Sequence, residues 1–157
     1  MKDLLALDLR QFVPHREPMI LIDRITLLKD DYLESEVTIR EDSMFLRDGA
    51  VPAWVGVEYM AQTCAAFQGL EAHQRGEPPR AGFLLASRHY QSNVSGFELG
   101  STLRVRVTQV HREAGGLSVV EGEISEPLSG AQLVHATLTV YEVANLTEFL
   151  AGERGKR

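Results

Sequence analysis

The sequence lacks the residues that stabilise small disulfide-rich or zinc-binding proteins, because Cys64 is its single cysteine among 157 residues. An intrachain disulfide is therefore impossible, and a cysteine-based zinc site is excluded. Asp and Glu do not cluster at the spacing of metal ligands, so we expect no metal and no cofactor. One cysteine and an N-terminus without a long apolar run predict a cytoplasmic protein rather than a secreted one.

Basic residues and long hydrophobic runs are also scarce. Lys and Arg number 16 against 22 Asp and Glu, which gives a net charge of −6. A nucleic-acid-binding protein needs a basic surface to neutralise phosphates, so that class is excluded. The longest nearly uncharged stretch, 49–70, is interrupted by Pro52 and Glu58. It therefore predicts a helix buried within a protein rather than a membrane span.

The residues that are present, 44% hydrophobic and 24% charged, are typical of one globular domain over 1–157. Strands with hairpin spacing surround one helix that is apolar on most faces, which predicts an α+β fold with an antiparallel sheet curled around that helix. A sheet edge left exposed in such a fold is readily covered by dimerisation. The predicted elements are a short N-terminal helix within 2–13, strands at 19–28 and 32–39, the helix from 53 to 73 or 75, strands at 82–86, 103–110, 117–124 and 132–143, a terminal helix at 145–151 and a frayed tail at 152–157.

Glu58 is the most informative single residue, because it is the only charged residue between residues 49 and 70, which include most of the predicted helix. A carboxylic acid in an apolar setting can give and take a proton near neutral pH. Gln62 lies one turn later on the same face. The start of the helix near Ala53 presents backbone N–H groups without intrahelical partners, which can polarise a bound carbonyl oxygen. The alternative interpretation is a glutamate without a catalytic role, either buried and satisfied by hydrogen bonds or facing a solvent gap at the start of the helix.

Five histidines are available as a second acid or base, and each is first expected to have a surface or packing role. His15 lies in PHREP, a segment stiffened by two prolines, and His89 follows a short strand in SRHYQS. The remaining three are His73, His111 and His135.

Several motifs resemble the β-hydroxyacyl-acyl-carrier-protein dehydratases. PHREPMILIDRI is similar to their N-terminal Pro-His-Arg motif and the following strand, and PAWVGVEYMAQ is similar to the start of their central helix. FLLASRHYQSNVSGFELGSTLRVRV resembles a later strand, loop and strand. The resemblance spans about 9–141. It implies the hotdog fold, a curled antiparallel sheet around a long helix, and a dimer that binds acyl thioesters at the subunit interface.

One position departs from the family. The catalytic histidine of its Gly-His-Phe-Pro loop is replaced here by Met44, although Phe45 keeps the aromatic residue. The glycine at the start of the family's helix is Ala53. This pattern is similar to a divergent subgroup, the dehydratases of aryl-polyene pigment clusters in Gram-negative bacteria, which also lacks the histidine.

The resemblance implies dehydration of a 3-hydroxyacyl thioester. Glu58 is expected to be the catalytic acid, with His15 first and His89 second as candidates for the missing base; Glu58 acting alone stays open. Beside the substrate we expect Gln62, Ala53, Trp54, Met44, Phe45 and His89.

The implied partner is an acyl carrier protein that carries the 3-hydroxyacyl chain. Carrier proteins are acidic, so Arg88, close to His89, is the favoured docking residue. We also expect a homodimer, or a heterodimer with another hotdog protein. Two alternatives to the dehydratase remain: an acyl thioesterase, and a non-catalytic acyl-binding subunit paired with an active homologue.

Overall fold

A computed structural model describes residues 4–143 and 150–152 of the chain. The N-terminal segment forms two short 3-10 turns, Leu4–Ala6 and Leu9–Gln11, instead of one helix. The strands are β1 (Arg24–Leu28), β2 (Tyr32–Thr38), β3 (Ala50–Pro52), β4 (Gly82–Ser92), β5 (Gly96–Glu98), β6 (Thr102–Arg112), β7 (Leu117–Ser125) and β8 (Gln132–Glu142), and the one long helix, α1 (Gly56–Gln74), follows a 3-10 turn at Ala53–Val55.

Six of the strands form one antiparallel sheet in the order β1-β2-β6-β7-β8-β4. The pairing keeps Leu33 opposite Val107, and both side chains are fully buried. Alternation of buried and half-buried residues along β6 and β8 gives the sheet one face toward the core. β4 is an edge strand, and nine of its eleven residues are exposed. The curled antiparallel sheet around one helix is the predicted architecture.

α1 lies against the inner face of the sheet, and eleven of its nineteen residues are buried. Gly69 allows the closest approach, because a Cβ there would lie 1.7 Å from the carbonyl oxygen of Phe12. The remaining half-buried residues recur every three or four positions and so share one side of the helix. We call this side the open face; it consists of Val57, Glu58, Ala61, Ala65, Gln68 and Glu71.

The structure departs from the predicted elements in several places. The first strand begins at Arg24 rather than at residue 19, because the backbone of Met19 and Leu21 is hydrogen-bonded by the side chain of Gln62 instead of by a neighbouring strand. The small two-stranded sheet of β3 and β5 was not predicted, since each strand has only three residues. Of the predicted terminal helix at 145–151, residues 150 and 151 are helical and the rest lies outside the described residues, as does the tail beyond 152.

Within the part of the chain that the structure describes, α1 and the other helical segments are too short or too polar to cross a membrane.

Candidate functional site

The structure brings Glu58 and His15 together. Nε2 of His15 lies 3.7 Å from Oε1 of Glu58. Both side chains line a cavity of about 120 Å³, which is closed on one side by the open face of α1 and on the other by the first residues of β4. The segment 14–18 begins and ends with proline, which restricts its backbone. Arg16 donates hydrogen bonds to the carbonyl oxygens of Val13 and His15. The segment that holds His15 is thus fixed locally.

The rest of the cavity is mostly apolar. Ala61, Cys64 and Ala65 contribute from the helix, and Phe83 and Leu84 from β4. Burial raises the pKa of the Cys64 thiol to about 12, so this thiol is protonated at neutral pH and is not a nucleophile there. Glu58 and His15 are therefore the groups in this cavity that suit acid or base chemistry.

Glu58 is less buried than its apolar sequence neighbours indicated. Its side chain is 36% exposed, because it lies on the open face of α1. In the single chain, Glu58 is therefore not the fully buried carboxyl group that its apolar sequence neighbours indicated. The Nδ1 atom of His15, in contrast, is inaccessible and has no hydrogen-bond partner among the described residues.

Gln62 contacts Glu58 but is fully buried. Its Nε2 donates to Oε1 of Glu58 at 3.1 Å and to the carbonyl oxygen of Met19 at 2.7 Å. Its Oε1 accepts from the N–H of Leu21 at 2.8 Å. Gln62 was predicted to contact the substrate, whereas these contacts use both of its donors inside the protein.

The helix start is only partly available to a ligand. The N–H of Ala53, predicted to face the substrate, donates to the carbonyl oxygen of Ser95 at 3.0 Å. Tyr90 donates its hydroxyl to the carbonyl oxygen of Ala53, and burial raises the pKa of Tyr90 to about 12. Trp54 is 62% exposed and lies in the 3-10 turn at the start of the helix, four residues before Glu58. Tyr90 was not predicted to be part of the site, because nothing in the segment SRHYQS indicates that the tyrosine hydroxyl bonds the carbonyl oxygen of Ala53, 37 residues earlier.

Met44 and Phe45 lie apart from the Glu58 cavity. Met44 lines a different cavity, of about 510 Å³, together with Leu21 and Tyr59. Phe45 packs edge-on against Trp54 with 5.6 Å between ring centroids, and it adopts a left-handed backbone with φ of 69°. No residue of the loop 41–49, all of which the structure describes, lines the cavity that holds Glu58. The structure therefore places no group from this loop in the position of the missing base.

His89 and Arg88 lie on β4, outside the cavity. Both are exposed, and β4 is irregular here, because its register with β8 shifts between Arg88 and Gln91. His89 has a φ of 53°. Arg80, in contrast, does line the cavity, although it also pairs with Glu77 at 2.9 Å. Of the two candidate bases, His15 is the one that the fold places next to Glu58.

Within residues 4–143 and 150–152, no group of His, Cys, Asp and Glu side chains is arranged to hold a metal ion.

Comparison with known proteins identifies the family. The family model for ApeP-like proteins, described as ApeP dehydratase, matches residues 7–151. The dehydratase heterocomplex ApeI:P from Xenorhabdus doucetiae contains a chain that is 29% identical to this one, with a TM-score of 0.84 over 92% of this chain and 96% of that chain. No curated protein matches the sequence significantly.

More distant solved structures share the fold alone. A protein from Streptococcus pneumoniae described as a hypothetical thioesterase, with coenzyme A, is 16% identical, with a TM-score of 0.59 over 76% of this chain and 84% of that chain. The PaaI protein of E. coli is 16% identical, with a TM-score of 0.57 over 76% and 82%. These hotdog relatives confirm the predicted fold class. The match to the family model confirms the resemblance and the predicted dehydratase activity, and the chain therefore belongs to the ApeP-like family of dehydratases.

Proposed function

We propose that this chain removes water from 3-hydroxyacyl thioesters carried by an acyl carrier protein and forms trans-2-enoyl thioesters. The pathway we propose is aryl-polyene or related fatty-acid-like biosynthesis, as the resemblance implies. The observation that carries the proposed chemistry is the approach of His15 to Glu58 at 3.7 Å in a mostly apolar cavity. We expect the reaction to take place in the cytoplasm, because the chain has a single cysteine.

Dehydration needs a base for the C2 proton and an acid for the C3 hydroxyl. In the proposed reaction His15 removes the C2 proton and the C2–H electron pair becomes the C2=C3 double bond. The C3–O bond breaks as Glu58 gives its proton to the hydroxyl, which leaves as water. The thioester is unchanged. The proton gained by His15 returns to Glu58 through solvent, because the 3.7 Å between Nε2 of His15 and Oε1 of Glu58 is too long for a direct hydrogen bond.

The thioester carbonyl must be polarised to make the C2 proton acidic. We propose that the start of the helix at Ala53–Val55 does this through its dipole and the N–H groups beyond Ala53. Trp54 lies roughly 6 to 8 Å along the helix axis from Glu58, because the rise per residue is about 1.5 Å in an α-helix and about 2.0 Å in the 3-10 turn that holds Trp54. A carbonyl at the helix start therefore leaves C2 and C3 within reach of Glu58.

We further propose that β4 is the dimer interface. Its outer edge has no neighbouring strand in the described parts of the chain, and Phe83, Leu84 and Leu85 are 38%, 40% and 58% exposed. An exposed apolar edge strand favours pairing with another chain. The similar chain from Xenorhabdus doucetiae is part of a dehydratase heterocomplex, which supports a second hotdog protein as the partner over a second copy of this chain. Met44 replaces the family's catalytic histidine in this chain, which also supports a different hotdog protein as the partner.

The experiment is Glu58→Gln, assayed with a 3-hydroxyacyl carrier-protein substrate, both for the chain alone and with a hotdog partner. We expect enoyl formation to fall by about a hundredfold to ten-thousandfold, because the amide cannot transfer the proton. The melting temperature should hold, since Glu58 is 36% exposed and the amide has the same shape. Glu71→Gln is the matched control: Glu71 is on the same helix, pairs with Arg112 at 2.6 Å and does not line the cavity.

Retained enoyl formation in Glu58→Gln would overturn the proposed chemistry. Release of a free thiol by the unmodified chain, detected with a thiol reagent, would support the thioesterase instead. No turnover by the unmodified chain, even with its partner, together with a large loss of stability in Glu58→Gln, would favour the non-catalytic acyl-binding subunit.

A further inference from the structure

Gln62 joins two parts of the site that are far apart in the sequence. Its side chain has 0% exposure and bridges the segment 19–21 to the helix residue Glu58. The same N-terminal segment holds His15 a few residues earlier. One buried amide therefore connects the backbone that carries the candidate base with the side chain of the candidate acid.

The orientation of this amide is fixed by its backbone partners. The N–H of Leu21 can only donate, so the atom that faces it must be the amide oxygen. The carbonyl of Met19 can only accept, so the atom that faces it must be Nε2. A flipped amide would place like groups against each other at both contacts.

The fixed amide makes the two oxygens of Glu58 unequal. The second N–H of Gln62 points to Oε1 of Glu58 at 3.1 Å. Oε1 accepts that hydrogen bond, and it accepts more strongly when it carries no proton. The acidic proton of Glu58 is thus favoured on Oε2.

We infer that Gln62 is a positioning residue: it makes Oε1 of Glu58 an anchored acceptor, leaves Oε2 to exchange the proton with substrate, and fixes the distance from His15 to Glu58. This inference rests on the proposed function of Glu58. It reassigns Gln62 from substrate contact to the orientation of the acid. Second-layer hydrogen bonds of this kind determine whether a catalytic group is held in productive geometry.

A purely structural role is the competing explanation, because Gln62 also satisfies two buried backbone groups. Thr63 provides the matched control. It is the next residue on α1 and fully buried, donates to the carbonyl oxygen of Tyr59 at 2.7 Å and bonds Ser35 at 2.7 Å. Thr63→Val therefore removes buried hydrogen bonds from the same helical turn without touching Glu58.

The test compares Gln62→Met and Thr63→Val in the full chain, in the assembly that is active. The probe is a 3-hydroxyacyl pantetheine thioester, and kcat, KM and the melting temperature are measured. We expect both variants to lower the melting temperature. Gln62→Met should also lower kcat by about tenfold to a hundredfold with KM nearly unchanged, because small misplacement of a catalytic group has effects of that size. Thr63→Val should keep kcat.

A double-mutant cycle with Glu58→Gln identifies the residue through which Gln62 acts. If Gln62 acts through Glu58, Gln62→Met adds almost no further loss of kcat once Glu58 is replaced. Fully additive losses, or an unchanged kcat in folded Gln62→Met, would overturn this inference. Should Gln62→Met not fold, Gln62→Asn serves instead, since its shorter amide cannot reach both Glu58 and the segment 19–21, and the same outcomes apply.

The two proposals fail in different ways. A Glu58→Gln variant that keeps activity overturns the proposed function. Loss of activity in Glu58→Gln beside full kcat in Gln62→Met overturns only the positioning role.

Discussion

At the scale of single residues, Glu58 could be singled out because it is the one charged residue between residues 49 and 70 of the sequence. The sequence could not indicate that its carboxylate lies on the open face of α1, because that depends on which side the sheet leaves uncovered. Gln62 was predicted near Glu58 from helical spacing, but its burial depends on the loop that packs over it. Gln62 and the segment 19–21 are about forty residues apart in the sequence, so their contact leaves no recognisable pattern in either segment.

The identity of the base gives a second prediction at this scale. His15→Ala should lower kcat by about a hundredfold, comparable to the loss of other general bases, because Nε2 of His15 is the basic atom nearest Glu58. His89→Ala is the matched control: His89 is exposed on β4 and does not line the cavity. The measurement is single-turnover enoyl formation at fixed pH. If enoyl formation falls in His89→Ala and not in His15→Ala, His89 is the base instead of His15. If it falls only mildly in both variants, Glu58 acts alone.

At the scale of elements, the number and type of the long strands followed from alternation and turn residues. The ends of the strands could not be predicted in the same way. The strand predicted at 82–86 extends to Ser92 as β4, because β4 pairs with β8 along its length. Alternation is hard to read in β4, since nearly all of its residues are exposed. A strand whose two faces are alike has no clear periodicity.

The close packing of α1 on the N-terminal segment gives a prediction for this element. Gly69→Ala should destabilise the fold by about 2 kcal/mol or more, because the new methyl group would lie 1.7 Å from the Phe12 carbonyl oxygen and the backbone must move. The intrinsic preference of helices for alanine over glycine, about 1 kcal/mol, acts in the opposite direction and is the smaller effect. Gly115→Ala is the control, since a Cβ at Gly115 meets no atom within 4 Å.

Urea unfolding of both variants measures this effect. The packing argument requires a lower midpoint for Gly69→Ala and an almost unchanged midpoint for Gly115→Ala. A Gly69→Ala variant as stable as the unmodified chain would mean that the N-terminal segment does not pack against α1 in solution.

At the scale of the whole molecule, charge must be organised locally, because the chain carries a net charge of −6 and its proposed carrier-protein partner is also acidic. Arg104 and Arg106 are poor docking candidates, since both face Glu34, and Arg106 also lies over the ring of Tyr32 with its guanidinium carbon 4.6 Å from the ring centroid. Arg80 pairs with Glu77 and Glu142. Arg88 is exposed on the edge strand, four residues beyond the cavity residue Leu84.

The last prediction concerns this arginine. Arg88→Glu should raise KM for a carrier-protein substrate several-fold, because charge reversal repels an acidic partner. It should leave KM for a pantetheine thioester unchanged, since Arg88 is about 13 Å along the strand from Leu84 and does not line the cavity. Lys29→Glu makes the same change of charge in the β1–β2 turn, outside the cavity, and controls for net charge. The difference in KM should shrink as salt rises, because exposed charges are screened within about 8 Å at physiological ionic strength. Equal changes for both substrates, or an equal effect of Lys29→Glu, would rule out docking at Arg88.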